Sequence, residues 1–126
     1  MNSPDPKHPD DKPPVDFEQL RLACDGSLEL MRELIDLYFH QADEIMAGLD
    51  KGIKEGAVQD VDHLAHKLVG ASLSCGMSAM VSTLRQLERG AKEGKLEGAQ
   101  QLFEQTAVQL EVVRRHAQDY LRQFPA

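Results

Sequence analysis

Residues 57–76 read AVQDVDHLAHKLVGASLSCG, and this stretch decides the fold because its apolar residues recur every three or four positions. That spacing is typical of an amphipathic α-helix with one face turned toward a core. Glycines stand at Gly56 and Gly76, where a helix can end. The recurring residues are Val61, Leu64, Ala65, Leu68, Ser72 and Cys75. The stretch therefore predicts a helix that buries one face.

The same helical spacing continues on both sides of this stretch. Residues 31–53, 77–91 and 96–120 each carry an apolar stripe that steps by threes and fours. No segment shows the sustained alternation of a strand. Because short connections favour antiparallel neighbours, the predicted fold is all-α, an antiparallel up-down four-helix bundle preceded by a short N-terminal helix.

The helix ends are predicted from capping residues and from glycines. Asp16 is a good N-cap for the short first helix, and Ser27 is a good N-cap for the long second one. Gly94 marks the break between the last two helices. Gly48 and Gly52 each cost about 1 kcal/mol relative to alanine, so we expect the second helix to fray or bend near its end.

Residues 1–14 differ from the rest of the chain in composition. They hold five of the six prolines, at positions 4, 6, 9, 13 and 14, among Asp, Lys and Asn. We predict a disordered Pro-rich tail over residues 1–14 and the bundle over residues 15–126.

Charge and composition exclude several classes of partner. The formal net charge of −7 disfavours nucleic acid and anionic membranes as partners, because proteins bind both through Lys and Arg. No apolar run is long enough to span a bilayer, and the N-terminus has no apolar signal region. Two cysteines make neither a disulfide framework nor a Cys-based zinc site. We expect a cytoplasmic monomer.

The third helix carries the candidate chemistry. On a helical wheel His66 lies about 140° from the centre of the core stripe, so it faces water. His63 and Gly70 lie on the same outer face, one turn before and one turn after it. Gly70 removes side-chain bulk beside the ring, and Val69 and Leu73 at the edge offer a partner an apolar landing surface.

An exposed imidazole suits a nucleophilic role. Neutral imidazole attacks a phosphoryl group near neutral pH, and such transfer needs mainly positioning and electrostatic stabilisation. The chain has no Gly-rich phosphate loop and no Walker pattern, so we predict no ATP site and no autokinase activity. A partner would have to supply the rest of the site.

These residues carry a family resemblance. The segment Ala65-His66-Lys67-Leu68-Val69-Gly70-Ala71-Ser72, followed by Cys75-Gly76-Met77, resembles the signature A-H-x-L-K-G-x-S of the histidine-containing phosphotransfer (HPt) domain family. The order of one short helix and four longer ones, with the histidine in the third, is also similar.

The resemblance implies a phosphorelay intermediate of two-component signalling. His66 would be the phospho-acceptor, on the ring nitrogen distal to the main chain. Response-regulator receiver domains and a hybrid sensor kinase would be its partners, and the receiver would bring the aspartate and the Mg²⁺. The chain would need no cofactor or metal of its own. We expect the partner-facing support to come from Gln59, Asp62, His63, Lys67, Val69, Gly70 and Leu73.

Two alternatives stay open, one because of a departure from the family signature and the other because of the spacing of two histidines. The family usually has Lys three residues after the histidine, where this chain has Val69, and Lys67 is one residue after the histidine, rotated by about 100°. A docking module that binds receivers without phosphotransfer is therefore one alternative. A metal-binding helical bundle using His63 and His66, with Asp60 or Asp62, is the other.

Overall fold

The computed structural model describes residues 13–124, which form five α-helices and no strand. The helices are α1 (Phe17–Ala23), α2 (Leu28–Glu55), α3 (Val58–Ser74), α4 (Val81–Lys92) and α5 (Ala99–Arg122). The all-α prediction is confirmed. The tail predicted over residues 1–14 lies outside the described residues, except for its last two positions. No helix in the described part of the chain is both long and apolar enough to cross a membrane.

The helices begin and end close to the predicted residues. The Asp16 carboxylate accepts the backbone N–H of Gln19 at 3.0 Å and caps α1. The Ser27 hydroxyl accepts the N–H of Leu30 at 3.1 Å and caps α2. α4 and α5 begin a few residues later than the apolar stripes in the sequence. The first residues of each stripe lie in the connecting turns and pack against the core from there.

Helices α2 to α5 form the bundle, in which each helix packs against two others: α3 against α2 and α4, and α5 against α2 and α4. Contacts across the α3–α4 pair run in opposite directions along the two helices, as expected for neighbours joined by a short connection. The core is one continuous apolar cluster. Its largest fully buried apolar side chains are Leu20, Met31, Leu49, Leu68, Met77, Met80, Leu84 and Leu87. Because α3 is packed in this way, the side chains on its solvent-facing side are carried by a rigid helix.

The expectation that α2 frays at its glycines is wrong. The helix continues to Glu55, and Gly52 is buried. A Cβ atom added at Gly48 would lie 2.8 Å from Leu64 Cδ1, and one at Gly52 would lie 3.1 Å from Val61 Cγ2. The two glycines therefore allow α2 to approach α3 closely, and this packing offsets their low helix propensity.

A buried hydrogen bond joins α2 to α3. The hydroxyl groups of Tyr38 and Ser72 lie 2.7 Å apart, and both side chains are almost fully buried. Burial raises the pKa of Tyr38 strongly and outweighs the opposite effect of the hydrogen bond with Ser72. Ser72, the serine of the signature, therefore has a structural contact here that helps fix the rotation of α3 about its axis.

The segment before α1 is fixed to the end of α3. The Asp16 N–H donates to the Gly76 carbonyl at 2.7 Å, and Val15 forms an isolated antiparallel bridge with Met77. Gly76 has φ +72°, and a Cβ there would lie 2.7 Å from the Asp16 carbonyl oxygen. Only glycine fits this turn, which explains why it stands at the end of the signature.

Candidate functional site

His66 stands in the middle of α3 on the side opposite the core. Its side chain is 73% exposed, whereas Ala65 and Leu68 beside it are fully buried. The predicted exposure of the imidazole is therefore confirmed. The ring is accessible to a large partner, while the backbone of His66 is held in a rigid helix.

The ring is oriented by a carboxylate on α4. His66 Nδ1 lies 2.8 Å from Glu88 Oε2, and the Glu88 side chain is only 15% exposed. Burial alone raises the pKa of Glu88, but hydrogen bonds and charge attraction from Lys92 and His66 outweigh it, so the net pKa lies below its usual value. The carboxylate is therefore ionised at neutral pH and has no proton to donate. Nδ1 must carry the shared proton, and in the neutral ring the lone pair lies on Nε2.

A lysine connects this carboxylate to a second one. Lys92 Nζ lies 3.1 Å from Glu88 Oε2 and 2.9 Å from Asp62 Oδ1. Asp62 is one turn before His66 on α3, and Lys92 is one turn after Glu88 on α4. The four side chains thus form a continuous chain of charge-assisted contacts from Asp62 to the imidazole.

The surface next to the ring is open on the side of Gly70. A Cβ atom added there would have no heavy atom within 4 Å. Leu73, one turn further along α3, is 44% exposed and forms an apolar end to this face. Gln59, His63 and Lys67 are also exposed on α3. The predicted support residues therefore share the outer side of α3 with His66, except Val69 and, in part, Asp62.

No group of three or more His, Cys, Asp or Glu side chains in residues 13–124 is placed to hold a metal ion. His63 and His66 thus lack the converging ligands that a protein metal site requires. The geometry offers nothing specific to favour the metal-binding alternative.

The sequence profile of the Hpt domain matches residues 33–122. The chain belongs to the Hpt domain family. Hpt domains are phosphocarriers of two-component signalling that interact with receiver domains and kinases. Membership therefore supports a phosphotransfer intermediate.

A solved structure has the same fold. It is the crystal structure of histidine-containing phosphotransfer protein B (HptB) from Pseudomonas aeruginosa PAO1, with a TM-score of 0.82 and 23% sequence identity. The similarity covers 90% of this chain and 98% of that one. No curated protein sequence gives a significant match. The agreement extends over the whole bundle, so the fold assignment does not depend on the short signature alone.

The expected position of Val69 in this Hpt domain is wrong. The sequence pattern put it at the edge of the outer face, as part of a landing surface, but it is only 6% exposed and belongs to the core. The reason is that α3 has a neighbouring helix on each side, so its buried arc is wider than the single stripe read from the sequence. Val69 therefore supports the site through packing and offers no landing surface.

Burial at this position adds a cost in folding stability to restoring the signature lysine. From the sequence, Val69→Lys should speed transfer or stabilise the phospho-form. From the structure, we expect it to lower the free energy of unfolding by about 1–3 kcal/mol, because apolar burial is lost and a charge is brought to the core boundary. Urea denaturation measures this.

The matched control is Val108→Lys, at a valine on α5 that is 65% exposed. The free energy of unfolding of this variant should be nearly unchanged. Unchanged stability in Val69→Lys, together with faster phosphotransfer, would show instead that a lysine at position 69 extends to the phosphoryl group.

Sequence reasoning missed Glu88 and Lys92. Their spacing of four residues places both on one face of α4, and this spacing indicates an ion pair between them. Nothing in the sequence showed that this face lies opposite His66, because that depends on the axial register between α3 and α4. The structure alone brings the two residues to the site.

Proposed function

We propose that this Hpt domain carries a phosphoryl group on His66 between receiver domains. A receiver linked to a hybrid sensor kinase would donate the group from its aspartyl phosphate, and the aspartate of another receiver would accept it. We propose further that the protein acts in the cytoplasm as a monomer. The exposed His66 ring, oriented by Glu88 and bordered by the open space at Gly70, is the observation that carries the proposal.

The transfer step uses Nε2 as the nucleophile. Its lone pair forms the new P–N bond while the P–O bond to the receiver aspartate breaks, and the aspartate leaves as a carboxylate. The receiver would supply Mg²⁺ to neutralise the transferring oxygens, so the chain needs no cofactor of its own. Transfer to the next receiver is the reverse reaction.

A phosphotransfer screen tests the proposal. Each response-regulator receiver of the host is first charged with labelled phosphate and then mixed with this protein. We expect label to move to the protein from a small subset of receivers. If receivers bind but no label moves, the protein is a docking module, the alternative suggested by the absence of the signature lysine.

Glu88 should select the ring tautomer that reacts. We predict that Glu88→Gln lowers the fraction of His66 in the Nδ1–H form and slows phosphorylation by about tenfold. The reason is that a glutamine amide both donates and accepts, so it does not discriminate between tautomers. Ring-nitrogen NMR measures the tautomer, and uptake of phosphate from phosphoramidate, a small donor that needs no partner protein, measures the rate.

Glu93→Gln is the matched control, because Glu93 is an exposed carboxylate at the end of the same helix. It should change neither measurement. An unchanged tautomer population in Glu88→Gln would show that the carboxylate does not set the state of the ring.

A further inference from the structure

The contacts behind Glu88 place a lysine next to the acceptor site, although the signature position for a lysine on α3 holds Val69. Glu88 Oε2 is shared between two donors, His66 Nδ1 at 2.8 Å and Lys92 Nζ at 3.1 Å. The same ammonium group donates to Asp62 at 2.9 Å. Lys92 is thus held by one carboxylate on its own helix and by another on the helix that carries His66.

A carboxylate beside the acceptor ring has two opposing effects. It orients the imidazole, but its negative charge also repels an incoming phosphoryl group, which is itself anionic. A lysine side chain near the ring would reduce this repulsion. The signature position for such a lysine is occupied by the buried Val69. The nearest cation that the structure places on Glu88 is Lys92.

We propose that Lys92, anchored by Asp62, is a positioning residue that aims the Glu88 carboxylate at His66 and offsets its charge during phosphoryl transfer. This inference rests on the proposed function. It gives a lysine on α4 a role that acts through Glu88, whereas the signature has its lysine on α3.

The register of the two helices supports this role. His66 lies opposite Glu88, and one turn away Asp62 lies opposite Lys92. Because Lys92 contacts the same carboxylate oxygen that accepts the Nδ1–H, any movement of the ammonium group acts directly on the hydrogen bond to the ring. Asp62 limits that movement, which matters because the Lys92 side chain is 57% exposed.

The ionisation of these groups is consistent with the contacts. Hydrogen bonds to Asp62 and then to Glu88 raise the pKa of Lys92. For Glu88, burial raises the pKa, and the hydrogen bond from Lys92 is the largest of the effects that lower it. Removing Lys92 should therefore raise the pKa of Glu88.

The test compares Lys92→Met with Lys92→Arg, each alone and combined with Glu88→Gln. With phosphoramidate as donor, we expect Lys92→Met to slow phosphorylation of His66 by about threefold to tenfold, a modest effect for a largely exposed charge. Lys92→Arg should restore most of the rate. In the Glu88→Gln background, Lys92→Met should cause no further loss, because its effect passes through the carboxylate.

A second measurement requires no phosphorylation. Carboxyl-carbon NMR should show the pKa of Glu88 rising in Lys92→Met. Lys95→Met is the matched control, because Lys95 is an exposed lysine just beyond α4, and it should leave both the rate and the titration unchanged. Thermal melting checks that each variant folds.

The outcomes separate this inference from the proposed function. If Lys92→Met changes neither the pKa of Glu88 nor the rate, the inference is wrong while phosphotransfer still stands. An equal loss of rate in both backgrounds would also overturn it, since Lys92 would then act on the phosphoryl group directly. If the pKa of Glu88 rises but the unaltered protein takes phosphate from neither receivers nor phosphoramidate, the proposed function fails, and the transfer role of Lys92 fails with it.

Discussion

His66→Gln is expected to abolish phosphorylation by both receivers and phosphoramidate while leaving the fold intact. Glutamine lacks the ring nitrogen that forms the P–N bond, so no phosphohistidine can form at this position. The fold should persist because the side chain is largely exposed and contributes nothing to the core. Mass spectrometry of the intact protein measures phosphate uptake, and circular dichroism measures the fold.

The matched control is His63→Gln, which removes the exposed imidazole one turn earlier on α3. It should keep most of the phosphate uptake from phosphoramidate, a donor that does not need the partner-facing surface. If His66→Gln still gains phosphate through an acid-labile, base-stable linkage, another histidine is the acceptor and the proposed site is wrong.

Gly70→Gln is expected to slow transfer from a cognate receiver by at least about tenfold while leaving phosphorylation by phosphoramidate unchanged. A long side chain at this position would occupy the open space next to the ring, which a receiver needs and a small donor does not. The free protein should become more stable by about 0.5–1 kcal/mol, because glycine is a poor residue in a helix interior. Reduced transfer with increased stability would be a clear sign of blocked docking.

A size series sharpens this test. Gly70→Ala adds only a Cβ atom, which meets nothing within 4 Å in the free protein, so it should have a smaller effect on receiver transfer than Gly70→Gln. Equal loss with both donors would show that Gly70 acts on the geometry of the ring. No loss with either donor would show that receivers approach from another side.

The helices and the exposure of His66 could be predicted from the sequence because both depend on local patterns. Helical spacing, the caps at Asp16 and Ser27 and the glycine stops are short-range signals, and the structure agrees with them. The same helical wheel predicted that His66 is exposed and that Leu68 is buried. The role of His66 as acceptor remains a prediction until phosphate transfer is measured.

The errors arose where a residue lies at the boundary of a face or at a contact between helices. Val69 is close to the edge of the apolar stripe, and only the neighbouring helices decide that it is buried. Gly48 and Gly52 read as weak points of α2 because propensity is a property of one helix, whereas their close packing on α3 involves two.

The sequence by itself determined an all-α bundle, the positions of its helices and an exposed histidine on the third of them. Each of these follows from residues within a few turns of one another along the chain. Only the tertiary structure decided that Glu88 and Lys92 belong to the site. The axial register of α3 against α4 results from packing over the whole bundle, and it brings together side chains 22 to 30 residues apart in the sequence.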